Sequence, residues 1–198
     1  MNRIVFATGN KDKMKEIREI LEDTGREIVS MAEAGLATDI EETGTTFEEN
    51  ALIKARAIAE KTDDIVLADD SGLEIDYLGG EPGIYSSRYM GKDTPYEVKN
   101  RNFIERLEGV TGKDRSARFV CAIAAVLPDK REIVVRGTME GEIAYSLKGE
   151  NGFGYDPVFY LPQYGKTSAE ISPEEKHAIS HRGKALRAMR EELKKILK

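Results

Sequence analysis

The feature that most constrains the fold is the regular alternation of short apolar runs with helical apolar patterns. The run Arg3–Thr8 is typical of a buried strand, and residues 14–21 then place apolar side chains at helical spacing. A second apolar run, Ile65–Ala68, comes after a helix pattern that begins with the capping-box residues Thr46 and Glu49. Strands that alternate with helices in this way predict an α/β protein.

The second half of the chain adds a β-hairpin, so the predicted sheet is mixed. Two β-rich runs, Arg118–Leu127 and Glu132–Met139, are separated by the turn-forming segment 128–130. The other predicted elements are strands near Glu27–Ser30 and over Leu73–Tyr77, and helices over Pro95–Leu107, from Ser172 and from about Gly183. The 198 residues contain no repeat and no linker, so residues 1–198 are expected to form one domain.

Composition argues against several classes of partner. The formal net charge of −6 disfavours non-specific binding to nucleic acid or to an anionic membrane, because both require a basic surface. No apolar run is long enough to cross a bilayer, and the segment after Thr8 becomes polar too early for a signal peptide. Cys121, the single cysteine, lies in an apolar run and is expected to be buried and inert. These features predict a cytoplasmic protein.

Two segments in the first half carry groups suited to phosphate. Thr8–Lys13 joins the first strand to a helix, where free amides and the helix dipole favour an anion. The alternative is an ordinary helix start capped by Asn10. Asn50 and Lys54 share one helix face at i, i+4 spacing, although a lysine in such a place is commonly solvated.

A third segment, Asp69-Asp70-Ser71-Gly72, is predicted to be an acidic turn at the end of the second buried strand. Open α/β sheets bind ligands at this end of their strands, and Mg²⁺ takes one or two carboxylates together with phosphate oxygens. The same residue types also favour an ordinary turn. The acidic stretch Asp39–Glu42 either adds a further ligand or is a solvated loop.

Two segments in the second half are suited to a nucleobase. In Gly152–Pro157, glycines allow close approach of the backbone to a flat ring and Phe153 can stack on it; the alternative is a structural turn. Lys176–Arg182 supplies donors for acceptor atoms of a ligand. Its two histidines at i, i+4 suggest a zinc site, but neither a second thiolate nor the HExxH glutamate accompanies them. Together the segments describe a nucleoside triphosphate pocket.

With these segments the chain resembles the inosine/xanthosine triphosphate pyrophosphatases, a family that cleanses nucleotide pools. The matching motifs, in family order, are Thr8-Gly9-Asn10-x-x-Lys13, Phe47-x-Glu49-Asn50-Ala51-x-x-Lys54-Ala55, Ala68-Asp69-Asp70-Ser71-Gly72-Leu73, Pro82-Gly83-Ile84-Tyr85-Ser86-x-Arg88-Tyr89, Gly152-Phe153-Gly154-Tyr155-Asp156-Pro157 and Ser180-His181-Arg182. The resemblance implies hydrolysis of ITP, dITP and XTP to the monophosphate and pyrophosphate, a Mg²⁺ requirement and a homodimer. It also implies an elongated mixed β-sheet flanked by helices, with the nucleotide pocket between two lobes.

The resemblance further implies a role for each matched position. Asp70 is expected to be the catalytic base and to bind Mg²⁺ together with Glu41. The residues expected to bind substrate are Thr8, Gly9, Asn10, Lys11, Asp12, Lys13, Lys54, Ser71, Phe153, Gly154, Tyr155, Asp156, Lys176, His181 and Arg182.

Three other functions stay open at this point. A Maf-like pyrophosphatase would act on dTTP, UTP or modified pyrimidine nucleotides. A non-catalytic nucleotide sensor would bind ITP without releasing pyrophosphate, although paired carboxylates without a metal repel a triphosphate. Binding of single-stranded nucleic acid is disfavoured by the net charge and by the absence of a basic stripe in the sequence.

Overall fold

A computed structural model describes residues 3–8 and 11–197, and at residues 11 and 12 it describes the backbone alone. The strands and long helices, in chain order, are β1 (Arg3–Phe6), α1 (Lys11–Leu21), β2 (Glu27–Ser30), α2 (Phe47–Ala59), β3 (Ile65–Ile75), α3 (Tyr96–Arg106), β4 (Ser116–Val126), β5 (Glu132–Ile143), β6 (Phe159–Leu161), β7 (Lys166–Thr167), α4 (Pro173–Ile179) and α5 (His181–Ile196). None of the helices in the described ranges is long and apolar enough to cross a membrane.

Seven strands of the described chain form one sheet, in the order β2-β1-β3-β4-β5-β6-β7. Strand β1 pairs in parallel with both of its neighbours, so that Ile4 lies beside Ile28 on one side and Ile65 on the other. The pairs β5–β6 and β6–β7 are antiparallel. The mixed sheet predicted from the sequence is therefore confirmed.

Contacts between backbone segments divide the chain into two compact units. The first contains residues 1–70, 121–137 and 182–198, and the second contains residues 71–120 and 138–181. In the first unit, buried apolar side chains from α1 and α5 pack on strand residues such as Phe6, Leu67 and Ile123. In the second unit, Phe103 of α3 packs with Leu73 and other buried apolar side chains of the sheet. Each unit therefore has its own apolar core.

The helix starts follow the sequence signals closely. Thr46 accepts a hydrogen bond from the backbone N–H of Glu49 at 3.1 Å, as the capping-box pattern predicts. The carboxylate of Glu49 bonds the backbone and hydroxyl of Thr45. At α4, Ser172 and Glu175 make both bonds of the capping box. The bond from Glu49 to Thr46 satisfies a first-turn amide of α2 and so stabilises the start of the helix that carries Asn50 and Lys54.

The prediction of an acidic turn at Asp69–Gly72 is wrong. These residues lie inside β3, which continues without interruption from Ile65 to Ile75. Turn-forming residue types can stay in a strand when tertiary contacts outweigh their local preference, and here both carboxylates have cationic partners. Because successive side chains in a strand point to opposite faces, Asp69 and Asp70 leave β3 on different sides.

The last helix begins slightly earlier than the sequence indicates. Its first residue is His181, two positions before the predicted start near Gly183. His181 and Arg182 therefore lie in the first turn of α5 and not in the preceding loop, so the helix fixes the directions of both side chains. Both side chains are buried.

Candidate functional site

Asp69 belongs to a charged cluster in the first unit. The cluster consists of Lys13, Glu16, Glu42, Lys54, Asp69, Asp70 and Arg182. The Nζ of Lys13 donates to its Oδ2 at 2.8 Å, and the Nε of Arg182 lies 3.9 Å from the same oxygen. Burial by itself raises the pKa of Asp69, but the charges of Lys13, Arg182 and Lys54 outweigh it and hold the pKa well below its usual range. Asp69 is therefore a permanent anion that holds cations from α1 and α5 against β3.

Asp70 has a different environment on the other face of the strand. The Nδ2 of Asn50 donates to its Oδ2 at 3.2 Å, and the Nζ of Lys54 donates to its Oδ1 at 3.4 Å. Burial raises the pKa of Asp70; Lys54 opposes this shift, whereas Glu42 and Asp69 reinforce it. Asn50 and Lys54 share one helix face, as the sequence predicts, and the structure brings both side chains to one carboxylate.

The acidic loop before α2 contributes Glu42 to this cluster. The Nζ of Lys54 donates to its Oε1 at 2.6 Å, whereas Glu41 is exposed. Burial lowers the pKa of Lys54, but Asp70, Asp69 and Glu42 outweigh burial and raise it, so the ammonium stays charged. The family resemblance implies Glu41 as a metal ligand, whereas Glu42 is the neighbouring carboxylate that contacts Lys54 beside Asp70.

Asn50 also fixes the loop that carries Glu42. It is fully buried, and its Oδ1 accepts from the backbone N–H of Gly44 at 2.8 Å. A Cβ at position 44 would lie 2.7 Å from this oxygen, so only glycine allows the loop to approach α2 so closely. One buried amide therefore positions both the loop of Glu42 and the carboxylate of Asp70. The i, i+4 spacing to Lys54 is the sequence signal that identifies this side chain.

Arg182 joins the same cluster from α5. Its Nη1 donates to Glu16 of α1 at 3.3 Å, over a separation of 166 residues. Burial lowers the pKa of Arg182, but Asp69 and Glu16 outweigh it and raise the pKa, so the guanidinium is always charged. Sequence reasoning missed Glu16, because a partner so distant in the chain leaves no local pattern.

The predicted phosphate segment is described only in part. Thr8 is buried directly after β1, and Lys13 contacts Asp69 from the first turns of α1. Gly9 and Asn10 lie outside the described residues. Lys11 and Asp12 are described only as the start of α1. The strand-to-helix junction expected around this segment is confirmed on both of its described sides.

In the second unit, Asp156 organises the aromatic loop, defined here as residues 152–156. Its Oδ2 accepts from the backbone N–H of Phe153 at 2.8 Å and from the Nζ of Lys176, and its Oδ1 accepts from Ser168 at 2.7 Å. Gly152 has φ +77°, and a Cβ there would lie 2.2 Å from Asp156 Oδ2. The carboxylate therefore closes the loop and links it to α4, and Ser168 is a partner that the sequence did not indicate.

The two neighbours within the aromatic loop face different surroundings. The ring of Phe153 is 58% exposed, with the Nζ of Lys176 at 5.3 Å from its centroid. Tyr155 is buried, and its hydroxyl donates to the backbone oxygen of Ser86 at 2.5 Å. Burial raises the pKa of Tyr155, so the phenol remains protonated. Phe153 is therefore available to a ligand, whereas Tyr155 anchors the loop.

His181 and Ser71 complete the predicted set within the second unit. The ring of His181 stacks on Phe119 with centroids 4.9 Å apart and an interplanar angle of 16°. Ser71 is partly exposed on β3, directly after Asp70. The structure thus brings Lys13, Lys54, Asp70 and Arg182 into the charged cluster, and it brings Lys176 to the aromatic loop through Asp156, whereas Glu41 is exposed.

The charged cluster has the chemistry for a polyanion and a hard cation. Lys13 and Lys54 are ammonium groups that phosphate oxygens can share, and the carboxylates of Asp70 and Glu42 meet at one of them. Within the described part of the chain, no group of three or more Asp, Glu, His or Cys side chains is arranged to hold a metal. Asp70 and Glu42 bring two carboxylates to one ammonium, and Mg²⁺ takes one or two carboxylates together with water and phosphate oxygens.

The fold and the charged cluster define an α/β protein with paired carboxylates and lysines beside one strand. The Ham1 family model matches residues 4–192. A protein from Caldanaerobacter subterraneus subsp. tengcongensis named dITP/XTP pyrophosphatase is 50% identical over 198 residues, which are 100% of this chain and 98% of that protein. A protein of the same name from Clostridium perfringens is 47% identical over 204 residues and covers 100% of both chains.

A solved structure of similar sequence points to the same family. The structure of a HAM1 protein from Coxiella burnetii superposes with a TM-score of 0.91 at 45% identity, covering 98% of this chain and 100% of that one. The chain belongs to the Ham1 family, and the family resemblance inferred from the six motifs is confirmed.

Proposed function

We propose that the protein hydrolyses the deaminated purine nucleotides dITP, ITP and XTP to the monophosphate and pyrophosphate, and so keeps them out of DNA and RNA. The observation that carries this proposal is the near-full-length identity of 46–50% to proteins named dITP/XTP pyrophosphatase. The paired carboxylates and lysines of the charged cluster support it independently, since hydrolysis at a phosphate needs both charge neutralisation and a proton acceptor.

In this proposal the triphosphate is held at the junction of β1 and α1. Thr8 directly follows β1, and Lys11 and Asp12 begin α1, where a helix favours an anion. The family motif assigns Gly9 and Asn10 to the same role. Lys13 and Lys54 neutralise phosphate charge. Both lysines already contact carboxylates, so a bound phosphate shares them and does not have to draw them from solvent.

Asp70 and an acidic residue of the preceding loop hold Mg²⁺ in this proposal. Glu42 contacts Lys54 beside Asp70, which makes it the better supported second ligand, and Glu41 stays a prediction. When bound, the ion supplies Lewis-acid stabilisation of charge on the phosphate oxygens. Burial raises the pKa of Asp70, Lys54 opposes this shift, and Glu42 and Asp69 add to it. A divalent cation bound here would stabilise the ionised carboxylate.

Asp70 also accepts the proton of the attacking water. A base works best when its pKa lies nearer the working pH, and burial moves the pKa of Asp70 in that direction. Asn50 donates to one oxygen of Asp70 and fixes the direction of the other. Water attacks the α-phosphorus, its proton passes to Asp70, and the bond to the leaving pyrophosphate breaks while Lys54 stabilises the charge that develops.

In this proposal the nucleobase is recognised by the aromatic loop and by side chains that the family motifs assign to the base. Phe153 stacks on the base, with Ser71, Gly154, Tyr155 and Asp156 forming its surroundings. The family resemblance assigns the donors for the 6-oxo group of hypoxanthine and xanthine to Lys176, to His181 and to Arg182, which belongs to the charged cluster. Adenine presents a 6-amino donor to the same groups, and a site built on several such bonds discriminates by up to ~10⁴-fold.

The test is pyrophosphate release from ITP, dITP, XTP, GTP, ATP and dTTP, each with Mg²⁺ or with EDTA. We expect turnover of the first three with Mg²⁺, loss in EDTA, and a roughly 10²- to 10⁴-fold lower kcat for Asp70→Asn. Asp93→Asn is the matched control, because Asp93 is exposed. A preference for dTTP would favour the Maf-like alternative, and ITP binding without pyrophosphate release would favour the sensor.

Two further properties belong to this proposal. We infer a homodimer from the family resemblance, and sedimentation equilibrium should give about twice the chain mass of 22.1 kDa. We place the protein in the cytoplasm, where nucleotide pools are cleansed, without a nucleic-acid or membrane partner. A monomer in sedimentation equilibrium would overturn the inferred homodimer and leave the proposed chemistry intact.

A further inference from the structure

Helix α3 lies behind the aromatic loop and contacts it through a buried amide. Asn100, on the third position before Phe103, is 1% exposed. Its Nδ2 donates to the backbone oxygen of Gly154 at 3.0 Å, across 54 residues of sequence. Gly154 has φ +67° and stands between the exposed Phe153 and the buried Tyr155. The bond therefore holds the backbone of the residue that separates Phe153 from Tyr155.

Other contacts join the loop to the same helix. Tyr155 packs edge-on against Tyr96 with centroids 5.1 Å apart and also contacts Phe103 at 5.6 Å. The Tyr155 hydroxyl is fixed at Ser86. These contacts fix the buried side of the loop, but they act on Tyr155. Asn100 is the side chain of α3 that acts on the backbone of Gly154, next to Phe153.

Asn100 is less favourable at this position than an apolar residue would be if the side chain served only to pack the core. Its Oδ1 is buried, and no hydrogen-bond donor within the described part of the chain reaches it. A buried acceptor without a donor is unfavourable, and a leucine of similar volume would avoid it. The amide does supply the donor to Gly154, which no apolar side chain can replace. This combination indicates that the residue serves the loop and not the stability of the core.

We propose that Asn100 is a positioning residue for recognition of the nucleobase, an inference that rests on the proposed function. By fixing the Gly154 carbonyl it sets the position of Phe153, whose backbone N–H bonds Asp156. Asp156 in turn holds Lys176. Loss of the Asn100 amide therefore disturbs the stacking ring and the donor beside it. The groups that act on the phosphates, Asp70 among them, are unaffected because they belong to the charged cluster.

The test is steady-state kinetics of Asn100→Leu in the full-length protein with ITP and ATP. We expect the KM for ITP to rise roughly three- to ten-fold, which corresponds to the free energy of one hydrogen bond. The kcat should change less than two-fold. The preference for ITP over ATP should fall, and the variant should still unfold in one cooperative thermal transition. Arg101→Ala, which removes an exposed ion pair on the next residue of α3, should match the wild type in every measurement.

Asn100→Ala, which fits within the space of the native side chain, gives the same readout if the leucine variant does not fold. A folded variant with wild-type KM and wild-type base preference would overturn the inference, as would a fall in kcat at unchanged KM. If the wild type releases no pyrophosphate from any nucleotide, the proposed function fails, and this inference fails with it. If the wild type is active and the variants behave like it, the positioning role alone fails.

Discussion

Asp69→Asn tests the charged cluster through stability alone. The substitution removes the negative charge and leaves Lys13 and Arg182 in place. The Asp69 side chain is 3% exposed, so its loss leaves cations without their central anion. Removing one partner of a buried ion pair costs about 3–5 kcal/mol.

The expected loss lies near the lower end of that range. The Lys13 side chain is 22% exposed and can turn towards water, and Arg182 keeps Glu16 at 3.3 Å. We therefore expect a loss of about 3 kcal/mol. For a chain of this size each kcal/mol lowers the melting temperature by about 2–4 °C, so the change should be about 6–12 °C.

The assay is thermal unfolding at pH 7 in EDTA, where no divalent cation contributes. Lys13→Met added to Asp69→Asn should recover part of the loss, because the coupling energy of such a pair is about 0.5–3 kcal/mol. Asp93→Asn makes the same chemical change at an exposed site and should leave the melting temperature within about 1 °C. A single variant as stable as the wild type would refute the role of Asp69 as the anion that holds this cluster.

Four other outcomes follow from single contacts. Asp70→Asn should melt no lower than the wild type in EDTA, because burial raises the pKa of Asp70 and the ionised group is unfavourable there; a lower melting temperature would contradict this. Gly152→Ala should lose about 1–3 kcal/mol in urea unfolding, since φ is +77° and a Cβ would meet the neighbouring carboxylate; full stability would show that the loop adapts. Arg115→Met should lose at least about 3 kcal/mol, because Arg115 donates to four backbone carbonyls that would lose their donor; a smaller loss would mean that water replaces the guanidinium. Asp64→Asn should melt lower than the wild type at pH 7, and this difference should shrink as the pH falls below about 4. Burial by itself raises the pKa of Asp64, but Arg3 and a threonine hydroxyl lower it overall. Its stabilisation is thus present above the unfolded pKa and lost as pH falls through the folded pKa, and a difference independent of pH would refute this account.

Local signals in the sequence predicted most of the elements. Apolar spacing located β1 and α1, Thr46 marked the start of α2, and Ser172 marked the start of α4. Such signals depend on neighbours within four residues, so they can be recognised without knowledge of the fold. Their accuracy fell where a tertiary contact overrode a local preference. Asp69–Gly72 has the composition of a turn, but it stays in β3, where Lys13 and Lys54 neutralise its carboxylates.

The candidate site shows the same division. Residue type and the family motifs identified Lys13, Lys54, Asp69 and Asp70, although Asp69 and Asp70 lie inside β3 and not at the end of a strand. That Glu42 contacts Lys54 depends on the path of a loop that Asn50 holds, and spacing alone does not distinguish adjacent residues in a loop.

The sequence by itself determined the α/β class, most of the helix starts and the segments proposed to carry the chemistry, because each of these is encoded by residues close together in the chain. Tertiary structure alone decided that Asp69 and Asp70 face opposite sides of one strand and have opposite pKa shifts. It also decided which distant partners act on the site, as Glu16 does on Arg182 and Asn100 on Gly154. The physical reason is that a pKa and a buried hydrogen bond depend on what packs around a group, and those neighbours come from distant parts of the chain.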